Sequence, residues 1–132
     1  MAKSATPFLM FQGRAEEAIN SYLSLFSGSR VENLMKFPAE DPQSGGKVMR
    51  AQLTLCGQTF LVNDSMVGHT FSFTPSFSVF IACDSAGELD DLFGKLSDGG
   101  EVLMGADNYG FSQRFAWVQD RFGVSFQLNL AH

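Results

Sequence analysis

The stretch GQTFLVN, Gly57 to Asn63, returns as GVSFQLN, Gly123 to Asn129, with glycine, phenylalanine and asparagine in register and threonine replaced by serine. Upstream, TPFLMF (Thr6 to Phe11) is echoed by TPSFSVF (Thr74 to Phe80), and an amphipathic helical run follows each. A period of about 65 to 70 residues is too long for a solenoid and reads as one small α/β unit written twice.

After a strand at Pro7 to Phe11, apolar residues recur at Ala15, Ala18, Ile19, Tyr22, Leu23 and Phe26, the stripe of a helix over Arg14 to Phe26. Ser27-Gly28-Ser29 ends it. In the second copy a strand at Phe77 to Cys83 leads into Ser85-Ala86-Gly87-Glu88, a capping-box pattern, and Leu89, Leu92, Phe93 and Leu96 stripe a helix over Ser85 to Leu96. Three strand signals follow each helix: Arg30 to Met35, Val48 to Leu55 and Thr59 to Asn63, then Glu101 to Met104, Phe111 to Val118 and Val124 to Leu130. Pro38 to Lys47 reads as a flexible loop with Gly105 to Gly110 as its counterpart.

Each half is therefore βαβββ, and the chain is expected to be one α+β domain over 1–132 built of two tandem modules. Module one spans about 5–64, a linker about 65–74 and module two about 75–131. The linker region carries His69, Phe71 and Phe73 and is expected to pack across the structure. Alternation along Val124 to Leu130 sends Phe126, Leu128 and Leu130 to one side and Ser125, Gln127 and Asn129 to the other. The apolar side should meet a helix. The polar side, with its counterparts Leu61 and Asn63, then faces water or a groove left between two helix-covered sheets.

The composition sets limits on function. A chain of 132 residues with fourteen phenylalanines, one tryptophan and two tyrosines has ample apolar area for one core, and most of the phenylalanines are expected inside. A formal charge of −5 argues against a nucleic-acid partner, which needs a basic surface for phosphates. No apolar run approaches the roughly 20 residues of a membrane span, and MAKSATPFLMF does not read as a signal peptide, so no membrane partner and a cytoplasmic location are expected. Cys56 and Cys83 lie in no metal or redox spacing and read as buried free thiols at strand ends. Met10, Met35, Met49, Met66 and Met104 read as core fillers.

Candidate chemistry concentrates in Asp107 to Trp117, where aromatics and hydrogen-bonding groups mix most densely. Arg114 is a candidate for holding a ligand carboxylate or phosphate; the competing reading pairs it with Asp107 or Asp120. Alternation sets Ser112, Arg114 and Ala116 against Gln113, Phe115 and Trp117, so only one set lines a groove. Trp117 is either an apolar platform in the wall or core packing. His69 reads as a surface or packing residue or, in the sharper version, a base or metal ligand. Asp64 reads as a turn-forming aspartate or an active acid.

The segments FLMFQGRAEEAINSYLSLF, GQTFLVNDS and WVQDRFGVSFQLNL, in this order, resemble the PhnB-like branch of the vicinal oxygen chelate superfamily, with glyoxalase I, bleomycin-resistance proteins and extradiol dioxygenases. The resemblance covers nearly the whole chain. It implies paired βαβββ modules forming a curved mixed sheet of the glyoxalase/bleomycin-resistance type, and a homodimer. PhnB-like proteins also carry a label as demethylubiquinone methyltransferases, yet no GxGxxG follows a strand in this sequence.

Enzymes of the superfamily place a divalent metal using His, Gln or Glu from the first and last strands of each module. Carried over, those positions fall near Thr6, Leu61, Ser76 and Gln127, of which only Gln127 offers a good donor, whereas a catalytic divalent ion takes about three protein ligands. The leading expectation is a small-molecule-binding homodimer without metal or other cofactor, its ligand held by Gln127, Arg114, Trp117, Asn63 and Tyr109. A metal-dependent lyase or isomerase of glyoxalase type using Asp64 or His69, and a non-catalytic sequestering or structural dimer, are the alternatives.

Overall fold

In the first module Phe8–Phe11 (β1) runs parallel to Gln58–Asp64 (β4), which pairs antiparallel with Val48–Leu55 (β3), itself antiparallel to Arg30–Lys36 (β2). The sheet order is β1-β4-β3-β2, and Ala15–Leu25 (α1) connects β1 to β2. The second module repeats this order: Ser78–Ala82 (β5), Ser125–Leu130 (β8), Arg114–Gln119 (β7) and Glu101–Asp107 (β6), with Ala86–Ser97 (α2) after β5. This computed structural model describes all residues from 1 to 132, and the chain divides into compact units Met1–Thr70 and Phe71–His132. The fold is α+β, two four-stranded mixed sheets and two helices.

Period-2 alternation decides which side of each sheet is dry. In module one Leu9, Phe11, Ala51, Leu53, Phe60 and Val62 are buried, as are Ala15, Ala18, Ile19 and Tyr22 of α1. In module two Ile81, Ala116, Val118, Phe126 and Leu128 are buried with Leu89, Leu92 and Leu96 of α2. Phe60 and Phe126 hold equivalent places, each on the strand second from its sheet edge and opposite Leu53 and Val118 respectively. The duplication read from GQTFLVN and GVSFQLN is real at this strand.

The upstream echo is out of structural register. Phe11 aligns with Phe80 in the sequence repeat, but Phe11 sits beside Asp64 while Phe80 sits beside Gln127, the equivalent of Leu61. Phe8, beside Leu61, is the true counterpart of Phe80. Thr6 and Ser76 precede their strands altogether.

The modules start their helices differently. At α2 the Ser85 hydroxyl accepts from Glu88 N–H at 3.1 Å and the Glu88 carboxylate accepts from Asp84 N–H at 2.9 Å, a capping box displaced by one residue on its return bond. At α1 the N-cap Arg14 makes no side-chain cap. Asp64, 1 % exposed at the end of β4, does this from across the module: its Oδ1 accepts from Gly13 N–H at 2.7 Å and Ala15 N–H at 3.0 Å, and its Oδ2 from Val48 N–H at 3.0 Å.

Several side chains lie elsewhere than the sequence reading expects. Met35, Met49 and Met66 are exposed, and Met10 and Met104 are only half-buried, because Met10, Met35 and Met104 fall outside the helix-covered rows, Met49 falls at a register shift near the start of β3 and Met66 falls in the linker. Phe8 and Phe80 are exposed because a strand hides alternate residues only, while Phe71, Phe77 and Phe111 are exposed outside the strands. Cys56 is exposed at φ 49° in the two-residue turn between β3 and β4, while Cys83 is buried. The 38–47 segment is organised by its own hydrogen bonds: Asp41 Oδ1 accepts from Gln43 and Ser44 N–H, and the Asp41 carbonyl accepts from Gly45 N–H. In the linker, Met66, Val67 and Phe71 stay largely exposed; its anchorage in module one is polar, with His69 N–H bonded to Gln12 Oε1 at 2.9 Å.

Candidate functional site

In module two the sheet face without a helix carries three cross-strand rows set by the register. Phe80, Gln127, Trp117 and Met104 form one; Ser78, Ser125, Gln119 and Glu101 the next; Ala82, Asn129, Phe115 and Asp107 the third. Trp117 is therefore a wall residue, together with Phe115, and the open set is the one containing Gln113, Phe115 and Trp117.

A chain of hydrogen bonds fixes this face. Trp117 Nε1–H donates to Ser125 Oγ at 2.8 Å, Ser125 and Ser78 share a hydroxyl hydrogen bond at 2.7 Å, and Gln127 Nε2–H makes a long 3.4 Å contact to Ser78 Oγ. The two serines satisfy the indole N–H, so the Trp117 ring is held in one orientation. With Nε2 turned to Ser78, Gln127 Oε1 makes no protein hydrogen bond. Beside Phe115, the turn before β7 folds two more rings over the face: Tyr109 stacks on Phe111 at 6.2 Å, and Phe111 meets Phe115 edge-on at 5.0 Å. The Tyr109 hydroxyl donates to the Gly105 carbonyl at 2.6 Å, which spends its polar tip within the loop and presents the ring.

Arg114 lies on the other face. Its Nε donates to Asp90 Oδ1 of α2 at 2.7 Å, so its partner is neither Asp107 nor Asp120. Asp120 is buried and accepts from Phe122 and Val124 N–H at 2.9 Å each, shaping the β7–β8 turn in which Gly123 takes φ 93°. Arg114 is thus separated by the thickness of the sheet from Trp117 and Gln127. Asn63 belongs to the corresponding open face of module one, beside Met10, and its Oδ1 is buried without a hydrogen-bond partner.

The acids and histidine considered for a metal are otherwise engaged. Both carboxylate oxygens of Asp64 hold backbone N–H groups, and His69 Nε2 meets Ser65 Oγ at 2.8 Å. No three His, Cys, Asp or Glu side chains converge anywhere in the chain.

The family model described as 3-demethylubiquinone-9 3-methyltransferase matches residues 3–129. The chain belongs to this PhnB-like family. The PhnB protein of Bacillus cereus is 43 % identical, with 98 % of this chain and 100 % of that one covered and a TM-score of 0.92. A Pseudomonas aeruginosa protein is 26 % identical over 98 % of both chains, TM-score 0.82. A glyoxylase/bleomycin resistance/dioxygenase domain from Frankia, 12 % identical with 100 % of this chain and 93 % of that one covered, shares the fold at a TM-score of 0.66. No curated protein matches. The resemblance to the vicinal oxygen chelate superfamily implies a metal, and the strand register tests whether this chain's residues fit one. Beside Leu61 stands Phe8 and beside Gln127 stands Phe80, so the corrected set is Phe8, Leu61, Phe80 and Gln127. One amide oxygen among three hydrocarbon side chains does not fit a divalent ion.

Proposed function

We propose that this PhnB-like protein binds a small organic molecule on the open face of its second module, without a metal. The observation that carries the reading is the Trp117–Ser125–Ser78–Gln127 chain, which holds a large apolar ring and an unpaired amide oxygen beside one another on a face that no helix covers. Such a combination of apolar platform and few oriented polar groups is what small-molecule sites use. A ligand with a flat apolar body lies on Trp117 and Phe80 and donates one hydrogen bond to Gln127 Oε1. Tyr109 and Phe111 border it.

Methyl transfer, which the family description names, has no support in the residues: no glycine-rich turn of GxGxxG type is present to hold a nucleotide-containing donor. Arg114, engaged with Asp90, stands outside the proposed contact set, and Asn63 would serve only a ligand on module one.

We also propose a homodimer. Each sheet has two edge strands, β1 and β2 in module one and β5 and β6 in module two, and Phe8, Phe77 and Phe80 expose large apolar surface, which a second copy would cover. Sedimentation at micromolar concentration should give about twice the 14.4 kDa chain mass.

The test of binding is recovery of a co-purifying small molecule by mass spectrometry, followed by titration of the stripped protein with it. Gln127→Leu and Trp117→Ala should each weaken binding at least about tenfold, a loss of about 1.4 kcal/mol or more. Wild-type affinity in both variants would remove the reading.

A further inference from the structure

We propose that the open face of the first module carries a site for a small organic carboxylate, anchored by Arg50. The protein has five arginines, and four have partners: Arg14 pairs with Glu17, Arg30 with Glu32, Arg114 with Asp90, and Arg121 lies over the Phe122 ring. Arg50 alone has no ion pair, side-chain hydrogen bond or ring contact. In a chain of net charge −5, a guanidinium left without a carboxylate is a notable omission.

Arg50 lines an open pocket of about 200 Å³ with Asn33, Met35, Gln52 and Leu61 over the β3 backbone at Ala51. No acidic side chain lines it. Glu32 is opposite Gln52 in the register, but its carboxylate is taken by Arg30.

The pocket depends on an irregularity in β2. Between Glu32 and Met35 the pairing with β3 shifts by one residue, and Asn33 there takes φ 52°, a left-handed conformation that is unfavourable for a residue with a side chain. Bulges and strained residues of this kind re-aim side chains and concentrate at functional positions. Here the bulge brings Asn33 Nδ2–H to Gln52 Oε1 at 2.6 Å. That bond uses the acceptor of Gln52 and leaves its Nε2–H₂ group to donate. The free donors of the pocket are then the Arg50 guanidinium, the Gln52 NH₂ and the second Asn33 Nδ2–H, and its apolar walls are Met35 and Leu61. A carboxylate fits the fork of Arg50 and can accept from Gln52, while a short hydrocarbon tail covers the two apolar side chains.

The probes are hexanoate, hexanol, hexylamine and inorganic phosphate, each titrated into the full-length protein while amide and side-chain NH₂ resonances are followed by NMR. Hexanoate is expected to shift the Asn33 and Gln52 side-chain amides and the backbone of residues 50–52; hexanol and hexylamine at equal concentration are not. Arg50→Met should lower hexanoate affinity at least about tenfold, with Arg50→Lys between the two because a point charge replaces a fork. Arg50 is exposed and makes no side-chain hydrogen bond, ion pair or ring contact, so the thermal midpoint of Arg50→Met should stay close to that of the wild type, which separates lost binding from lost fold. The proposal fails if hexanol shifts the same resonances equally, if phosphate does so as strongly as hexanoate, or if Arg50→Met binds hexanoate unchanged. Gln127→Leu, in the other module, should leave the hexanoate titration unaltered, so failure of this proposal and failure of the second-module reading are read from different variants.

Discussion

The Asp64 carboxylate, on the last residue of β4, accepts a hydrogen bond at 3.0 Å from the backbone N–H of Ala15, the first residue of α1. With Gly13 and Val48 it gathers three N–H groups from the helix start and the β3 start, so one side chain closes three chain segments. Asp64→Ala leaves those donors without an acceptor in a buried setting and should cost about 3 kcal/mol or more. Asp64→Asn keeps one oxygen but sets an NH₂ against an N–H, and should fall between. Urea unfolding checks both; a loss under about 0.5 kcal/mol for the alanine variant would show that water replaces the carboxylate readily.

The Asp41 carboxyl is held below its ordinary value of 3.8 by hydrogen bonds from the Ser44 and then the Gln43 backbone N–H, which favour the charged form. The folded group is the stronger acid, so its contribution to stability is present above 3.8 and is lost as pH falls through the lower folded value. Carboxyl-carbon NMR should find Asp41 titrating below 3.8, and a midpoint at or above that would contradict the hydrogen bonding of the 38–47 segment.

Gly100, just before β6, is a glycine for reasons of space. A Cβ there would lie 2.1 Å from the Gln119 carbonyl oxygen and 2.8 Å from the Asp120 carbonyl carbon, both backbone atoms that cannot swing away. Gly100→Ala should therefore destabilise by about 2 to 3 kcal/mol. Gly105→Ala, where a Cβ would meet nothing within 4 Å, is the control and should be neutral or mildly stabilising.

What was legible in the sequence was what local periodicity encodes. Both helix stripes, the Ser85 cap and the matched β4 and β8 strands follow from spacing alone, and the structure reproduces them within one or two residues. Relations that depend on register or on distant partners were not legible. The Thr6 and Thr74 echo misled because composition repeats where structure does not, and it displaced the first-strand positions from Phe8 and Phe80. Asp64 as a cap for a helix 49 residues away, and Arg114 as the partner of Asp90 on α2, are contacts that no local pattern announces. Trp117 could be placed on a face by alternation, but which face met the helix was decided by Ala116 and Val118 being buried. The bulge that builds the Arg50 pocket left one trace in the sequence, Asn33, a residue type that tolerates positive φ.

Added Zn²⁺, Ni²⁺ or Mn²⁺ should not raise the thermal midpoint of the purified protein, and metal analysis should find far less than one ion per chain. The reason lies in the donor set, since Phe8, Leu61 and Phe80 offer hydrocarbon where a superfamily enzyme needs His, Gln or Glu, and Gln127 alone cannot hold an ion. Linkage makes the test sensitive: a site filled at about 100 times its dissociation constant adds about 2.7 kcal/mol, several degrees for a chain of this size. A rise of that order, abolished by Gln127→Leu, would place an ion in the second module and revive a glyoxalase-type reaction. A rise abolished by His69→Ala would instead require His69 to leave Ser65, its 2.8 Å partner, and would locate the ion at the linker.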